Sequence, residues 1–171
     1  MLTWKWTPNL ALWGIILYLF TSMSSSNLAI NHQLLRSSGV HSINILAWNV
    51  QGAGSREFFN ILREHLHMHR PSIVALFETR ISGPRAQQVC ERIGFRNFFR
   101  VDAQGFQGGI WVLWNSDEFD VDVLDTHEQF VTVEIKPHGH PSWNLTFVYA
   151  SPHLQTRELL WPQLQHLATR Y

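Results

Sequence analysis

Two polar residues close apolar runs that read as buried strands: Asn49 ends the run at 43–48 and Glu78 ends the run at 72–77. An amide and a carboxylate at neighbouring strand ends suit a hard divalent cation. Mg²⁺ is commonly held by one or two carboxylates, with waters and substrate phosphates completing its octahedron. From such a position it polarises a phosphoryl oxygen and stabilises a leaving alkoxide. Asn49 would hold a second ligand or the attacking water. The plainer alternative is a strand-end acid paired with Arg80.

These two residues need a strand–helix–strand unit to bring them together. Gln51-Gly52-Ala53-Gly54 is a turn by composition, and Ser55 is suited to cap a helix. Phe58, Phe59, Leu62 and Leu66 then recur at helical spacing, until Pro71 stops the helix. Parallel pairing of the flanking strands places both carboxyl ends on one sheet edge, where open α/β sheets carry their chemistry. The near-continuous apolar run SIVALF indicates cover on both faces.

Gly83-Pro84 opens a second helix, which runs to about Ile93 and ends at Gly94. Short runs follow at 95–101, 109–114, 119–124, 130–135 and 145–149. Val131, Val133 and Ile135 alternate with Thr132 and Glu134 as in a half-buried strand. Residues 137–141 (PHGHP) form a hairpin turn by composition. The chain closes with a helical pattern on Leu159, Leu160, Leu164 and Leu167, which Pro162 should kink or shorten. The expected class is α/β: a βαβα opening, an antiparallel meander and a final helix.

The 171 residues suit one globular domain or part of a larger one. A hydrophobic content of 45% with eight tryptophans argues against disorder. Cys90 is the single cysteine, which excludes an internal disulfide and a cysteine-based zinc site. Net charge is zero but unevenly spread. Residues 1–100 hold ten basic side chains against four acidic ones, and residues 101–171 hold three against nine. A nucleic acid would meet the arginine-rich side and avoid the acids at 117–125. A solvated face of mixed charge accounts for the same composition.

Residues 1–41 differ from the rest: an apolar leader-like run at 10–20 (LALWGIILYLF), then a Ser-rich linker. Eleven residues fall short of the roughly 20 a spanning helix needs. The run is read as a secretory signal, a membrane anchor, or upstream sequence without a folded role. The domain is expected over 42–171, and contact with a membrane only through the run at 10–20.

Trp48-Asn49-x-x-Gly52, Glu78-Thr79-Arg80, Gly108-Gly109-Ile110 and Val148-Tyr149-Ala150-Ser151-Pro152 occur in this order and spacing. Together they resemble the endonuclease/exonuclease/phosphatase superfamily. The likeness is closest to the apurinic-type endonuclease domain of plant LINE-type (non-LTR) retrotransposons, in which an Arg and a Leu-Trp pair follow, here Arg157 and Leu160-Trp161. It covers residues 43–171. The resemblance implies a Mg²⁺-dependent (or Mn²⁺-dependent) DNA endonuclease, a phosphodiester hydrolase, on a two-sheet α/β sandwich with a mixed sheet. It implies a nuclear or cytosolic location and no small-molecule cofactor; a working signal at 10–20 would instead imply secretion or membrane attachment. By matching positions Glu78 would be the metal ligand, Asn49 part of the active-site hydrogen-bond network, and Tyr149 aimed at the scissile phosphate. His153, Arg157 and Arg80 would be phosphate or nucleic-acid contacts.

Members of that family run on for about as far again and carry an Asp-x-Asn and an Asp-His pair there. After Tyr149 this sequence has no Asp, and neither His153 nor His166 follows one. General-base catalysis needs a titratable group within hydrogen-bond reach of the water. The expectation is therefore the N-terminal portion of a nuclease domain, truncated and inefficient, with one inner sheet face and some strand edges uncovered.

Three alternatives stay open. Gly52-Ala53-Gly54 between strand and helix, with Glu78 further on, mimics a dinucleotide-binding fingerprint. However, Glu57 stands at the third glycine position, where a pyrophosphate would sit. A sugar- or lipid-phosphate phosphodiesterase would keep the superfamily and change the substrate. A non-enzymatic remnant would keep the fold alone. His65 and His69 share a helix face without the Glu of a metalloprotease motif and read as exposed helix residues.

Overall fold

The computed structural model describes residues 15–20, as backbone, and 43–170. The leader-like run and the linker expected before residue 42 otherwise lie outside the described residues. Among those described, the strands are β1 (Ile15–Phe20), β2 (Ile45–Asn49), β3 (Ile73–Phe77), β4 (Asn97–Val101), β5 (Ile110–Trp114), β6 (Phe119–His127), β7 (Phe130–Pro137) and β8 (Trp143–Tyr149). The helices are α1 (Arg56–His69), α2 (Gly83–Ile93), α3 (Leu154–Glu158) and α4 (Leu160–Arg170). No helix among the described residues is long and apolar enough to cross a membrane.

The strand–helix–strand unit forms as its pattern requires. Ser55 Oγ accepts from the Phe58 N–H at 3.0 Å and caps α1. Arg70 takes a left-handed conformation just before Pro71, ending the helix. β2 and β3 pair in parallel, with Ile45 opposite Ile73 and Asn49 opposite Phe77. α2 carries Pro84 in its first turn and ends on Gly94 at φ 90°.

The expected meander divides between two sheets. β5 pairs antiparallel with β3 and with β4, giving a mixed sheet in the order β2-β3-β5-β4. β6, β7 and β8 form a second, antiparallel sheet, in which β1 pairs with β8, Ile15 opposite Tyr149. The stretch Ile15–Phe20, expected outside the domain, is thus strand backbone at a sheet edge. The fold is an α/β sandwich. Its mixed sheet has one parallel pair, so the repeated βαβ units of a dinucleotide-binding sheet are not formed among the described residues.

Layering explains the burial pattern of β3. Ile73, Ala75 and Phe77 face the second sheet and join Val133, Ile135, Leu145 and Phe147 in the central core. Val74 and Leu76 face the other way, with Trp111 and Leu113, against Phe58, Leu62, Ala86 and Cys90 of the two helices. All five residues of β3 are fully buried; each large one stabilises the fold by about 1.5–3 kcal/mol. On the far side, Leu160, Leu164 and Leu167 of α4 cover Phe130, Val148 and Ala150. The two inner faces therefore cover each other, contrary to the expectation of an uncovered one. The closing helix breaks at Leu159, so Pro162 falls in the first turn of α4, where a missing N–H is tolerated.

Three acids of the second half, Asp120, Asp122 and Asp125, lie along β6, where Asp122 pairs with Lys136 at 2.5 Å and Asp120 contacts His138 at 3.2 Å. Charges on an edge strand discourage pairing with another chain.

Candidate active site

The parallel ladder continues past the ends of β2 and β3 and shapes a rim. Val50 N–H donates to Phe77 O, Gly52 N–H to Glu78 O and Ala53 N–H to Thr79 O, at 2.8–2.9 Å. On the opposite side, Thr79 N–H donates to Gly109 O and Arg80 N–H to Gly108 O. The segment Glu78-Thr79-Arg80 is therefore gripped from both flanks. Within it Glu78 has φ 56° and Arg80 φ 58°, left-handed values that cost about 1–3 kcal/mol each for non-glycine residues and cluster at functional sites. The flanking bonds hold that strain. The consequence is that both side chains point to one place.

That place is a cavity of about 540 Å³ lined by Asn49, Glu78, Arg80, Gln129, Tyr149 and His153 among others. Tyr149 arrives from the antiparallel sheet, its ring stacked on Phe77 at 6.2 Å. Its hydroxyl donates to Glu78 Oε1 at 2.5 Å. Arg80 donates to Glu78 Oε2 through Nε at 2.7 Å and approaches it with a terminal guanidinium nitrogen at 2.6 Å. Asn49 Oδ1 accepts from the Gln51 N–H at 3.2 Å, which fixes the amide at the strand end. Burial, then the hydrogen bond to Glu78, pushes the Tyr149 phenol well above its ordinary range. It is a neutral donor at any physiological pH.

The positions anticipated from sequence are thus brought together in part. Asn49, Glu78, Tyr149, Arg80 and His153 all line the cavity. Arg157 does not; its guanidinium reaches back to the Ser151 carbonyl at 3.4 Å. His153 opens α3, its N–H donating to Ser151 Oγ at 3.2 Å.

Two residues at the site escaped sequence reasoning. Gln129, in the β6–β7 turn, is 2% exposed and ties three segments together. Its carbonyl accepts from Tyr149 N–H, its Oε1 from Ser151 N–H, and its Nε2 donates to Thr156 O, each at 2.8 Å. No spacing rule marks such a glutamine. Phe106 is 88% exposed at the tip of a turn closed by reciprocal hydrogen bonds between Gln104 and Gln107, and it overhangs the cavity. A large aromatic between Gly105 and Gly108-Gly109 was the available signal.

Among the described residues no cluster of three or more His, Cys, Asp or Glu side chains is arranged to hold a metal ion. The donors at the rim are oxygens: the Glu78 carboxylate, the Asn49 amide and the Tyr149 hydroxyl. One buried carboxylate opening on a roomy cavity fits a cation that keeps most of its waters, as Mg²⁺ does. It does not fit a zinc centre.

No protein-family profile matches the sequence, and no curated protein matches it significantly. Among solved structures, the AP endonuclease LMAP from Leishmania major is similar, with a TM-score of 0.51 and 15% sequence identity. The match covers 74% of this chain and 46% of that one, so this chain spans less than half the length of its neighbour. At this identity the likeness shows a shared fold alone, an α/β sandwich.

Proposed function

We propose that this chain is a nuclease-type domain that binds the sugar–phosphate backbone of DNA at the Asn49–Glu78–Tyr149 rim in the presence of Mg²⁺, with little or no turnover of its own. The observation that carries this reading is the meeting of Tyr149 with Glu78 at 2.5 Å, from two different sheets, inside a cavity that Asn49 also lines. Glu78 would hold the cation, with waters and a phosphate completing its shell. A bound Mg²⁺ supplies charge neutralisation at the phosphoryl oxygens and at a leaving oxygen.

The chain's own residues orient the diester. Tyr149 presents a proton that burial keeps on the oxygen, and Asn49 presents an amide fixed by the Gln51 N–H. Phe106 offers an exposed ring on which a base can stack. The four motifs in register support the finer reading, the endonuclease domain of a LINE-type retroelement.

Weak turnover follows from the titratable groups around the cavity. Asp102 is occupied by Arg100 and the Gly83 N–H, and Glu128 by Gln104. Glu78 is occupied by Tyr149 and Arg80. His153 has no acid beside it in the sequence to orient its ring. A water-activating base held by a third group, as efficient hydrolysis requires, is not assembled from the described residues. A nicking assay on supercoiled DNA with Mg²⁺ or Mn²⁺ tests this. The reading expects no nicking above background, and turnover abolished by Glu78→Gln would overturn the inactivity.

A further inference from the structure

Glu78 has two oxygens and both are engaged, by different kinds of partner. Oε1 receives the Tyr149 hydroxyl, which is buried. Oε2 receives two guanidinium contacts from Arg80, at 2.7 and 2.6 Å. The exposures are unequal: the Arg80 side chain is 43% exposed and that of Glu78 10%. The carboxylate is the fixed member of the pair and the guanidinium the movable one.

We propose that Arg80 and a divalent cation are alternative partners of Glu78 Oε2, and that cation binding releases the Arg80 guanidinium to a phosphate of the bound nucleic acid. This rests on the functional reading above and assigns Arg80 a coupling role within it. Two positive groups compete for one carboxylate oxygen because each weakens the other's attraction. Arg80 can leave without disturbing the fold, since its backbone stays pinned by the Gly108 carbonyl at 3.1 Å. Tyr149 remains on Oε1 and keeps the carboxylate oriented. Among the described residues Glu78 is the acid with which Arg80 forms an ion pair, so the released guanidinium faces the cavity as a planar fork suited to a phosphate. Arg80 lines that cavity, so side-chain rotation alone accomplishes the exchange.

The exchange makes cation and phosphodiester binding mutually reinforcing, and such coupling is reciprocal. Isothermal titration of the full chain with Mn²⁺, alone and with a short DNA duplex, measures it in wild type, Arg80→Gln, Arg80→Lys and Glu78→Gln. Without DNA, Arg80→Gln is expected to bind Mn²⁺ roughly 5-fold or more tightly than wild type, with Arg80→Lys between them. The gain in Mn²⁺ affinity that DNA brings to the wild type is expected to shrink in Arg80→Gln. Should Arg80→Gln fail to fold, Arg80→Asn carries the same expectation, because asparagine tolerates the left-handed backbone. Glu78-dependent Mn²⁺ binding that removal of the Arg80 charge leaves unaltered or weakens would overturn the exchange and leave the functional reading standing. Absence of Glu78-dependent Mn²⁺ binding in every variant would overturn both.

Discussion

Tyr149 and Glu78 lie 71 positions apart in sequence and belong to different sheets, yet the phenol donates to the carboxylate at 2.5 Å. The contact exists because β8 and β3 lie on facing sheets and end on the same side of the sandwich. Phe77, one residue before Glu78, stacks on the Tyr149 ring and sets the separation.

That contact predicts a pH dependence. Burial and the bond to Glu78 hold the folded-state Tyr149 pKa above its ordinary value of 10.0. Below 10.0 the phenol is protonated in both states and the stabilisation is complete. As pH rises above 10.0 the unfolded phenol ionises first, so stability declines. Buried Cys90, pushed up from 9.0 to about 12, adds a decline of the same sign that begins lower. Urea unfolding in a Cys90→Ala background isolates the tyrosine: the alkaline decline should persist there and flatten on adding Tyr149→Phe.

Gly109 is predicted to be irreplaceable. It has φ 90°, and a Cβ there would stand 2.2 Å from Thr79 Oγ1. Gly108 has φ 69° with open space around it. Gly108→Ala should therefore lose only the left-handed penalty of about 1–2 kcal/mol. Gly109→Ala should lose at least about 1 kcal/mol more, by displacing Thr79 and loosening the grip on Glu78. Denaturant midpoints of the two variants check the ranking.

The Cys90 thiol should be inert in the folded protein. It is fully buried between α2 and the mixed sheet, and its raised pKa leaves little thiolate at neutral pH. Labelling by a thiol reagent should follow the unfolding rate rather than the reagent concentration.

Phe106→Ala should leave thermal stability unchanged, because the ring is 88% exposed. Under the functional reading it should weaken DNA binding by about 1–3 kcal/mol. Fluorescence anisotropy beside a thermal melt separates the two effects.

Much of this architecture was legible in local pattern. The apolar run at 72–77 required two covered faces, and β3 has them. Ser55, Pro71 and Gly94 marked helix ends because capping and the missing proline N–H act within a few residues. Partnering was not legible. Nothing local told that β5 would insert beside β3 while β6 to β8 formed a separate sheet, or that Ile15–Phe20 would pair with β8. Asn49 and Glu78 were visible as polar ends of apolar runs. Their left-handed surroundings were not, since the hydrogen bonds that hold Glu78 and Arg80 come from residues 52–53 and 108–109. Arg157 matched a motif position, but it points to the Ser151 carbonyl and away from the cavity lining.

The central claim is that Glu78 couples a divalent cation to a phosphodiester at the shared rim of two sheets. The most direct measurement is the Mg²⁺ dependence of DNA affinity, by anisotropy, in the wild type and in Glu78→Gln. Mg²⁺ should tighten binding in the wild type, and that increment should disappear in Glu78→Gln while the circular dichroism spectrum stays the same. An equal Mg²⁺-dependent increment in both proteins would contradict the account.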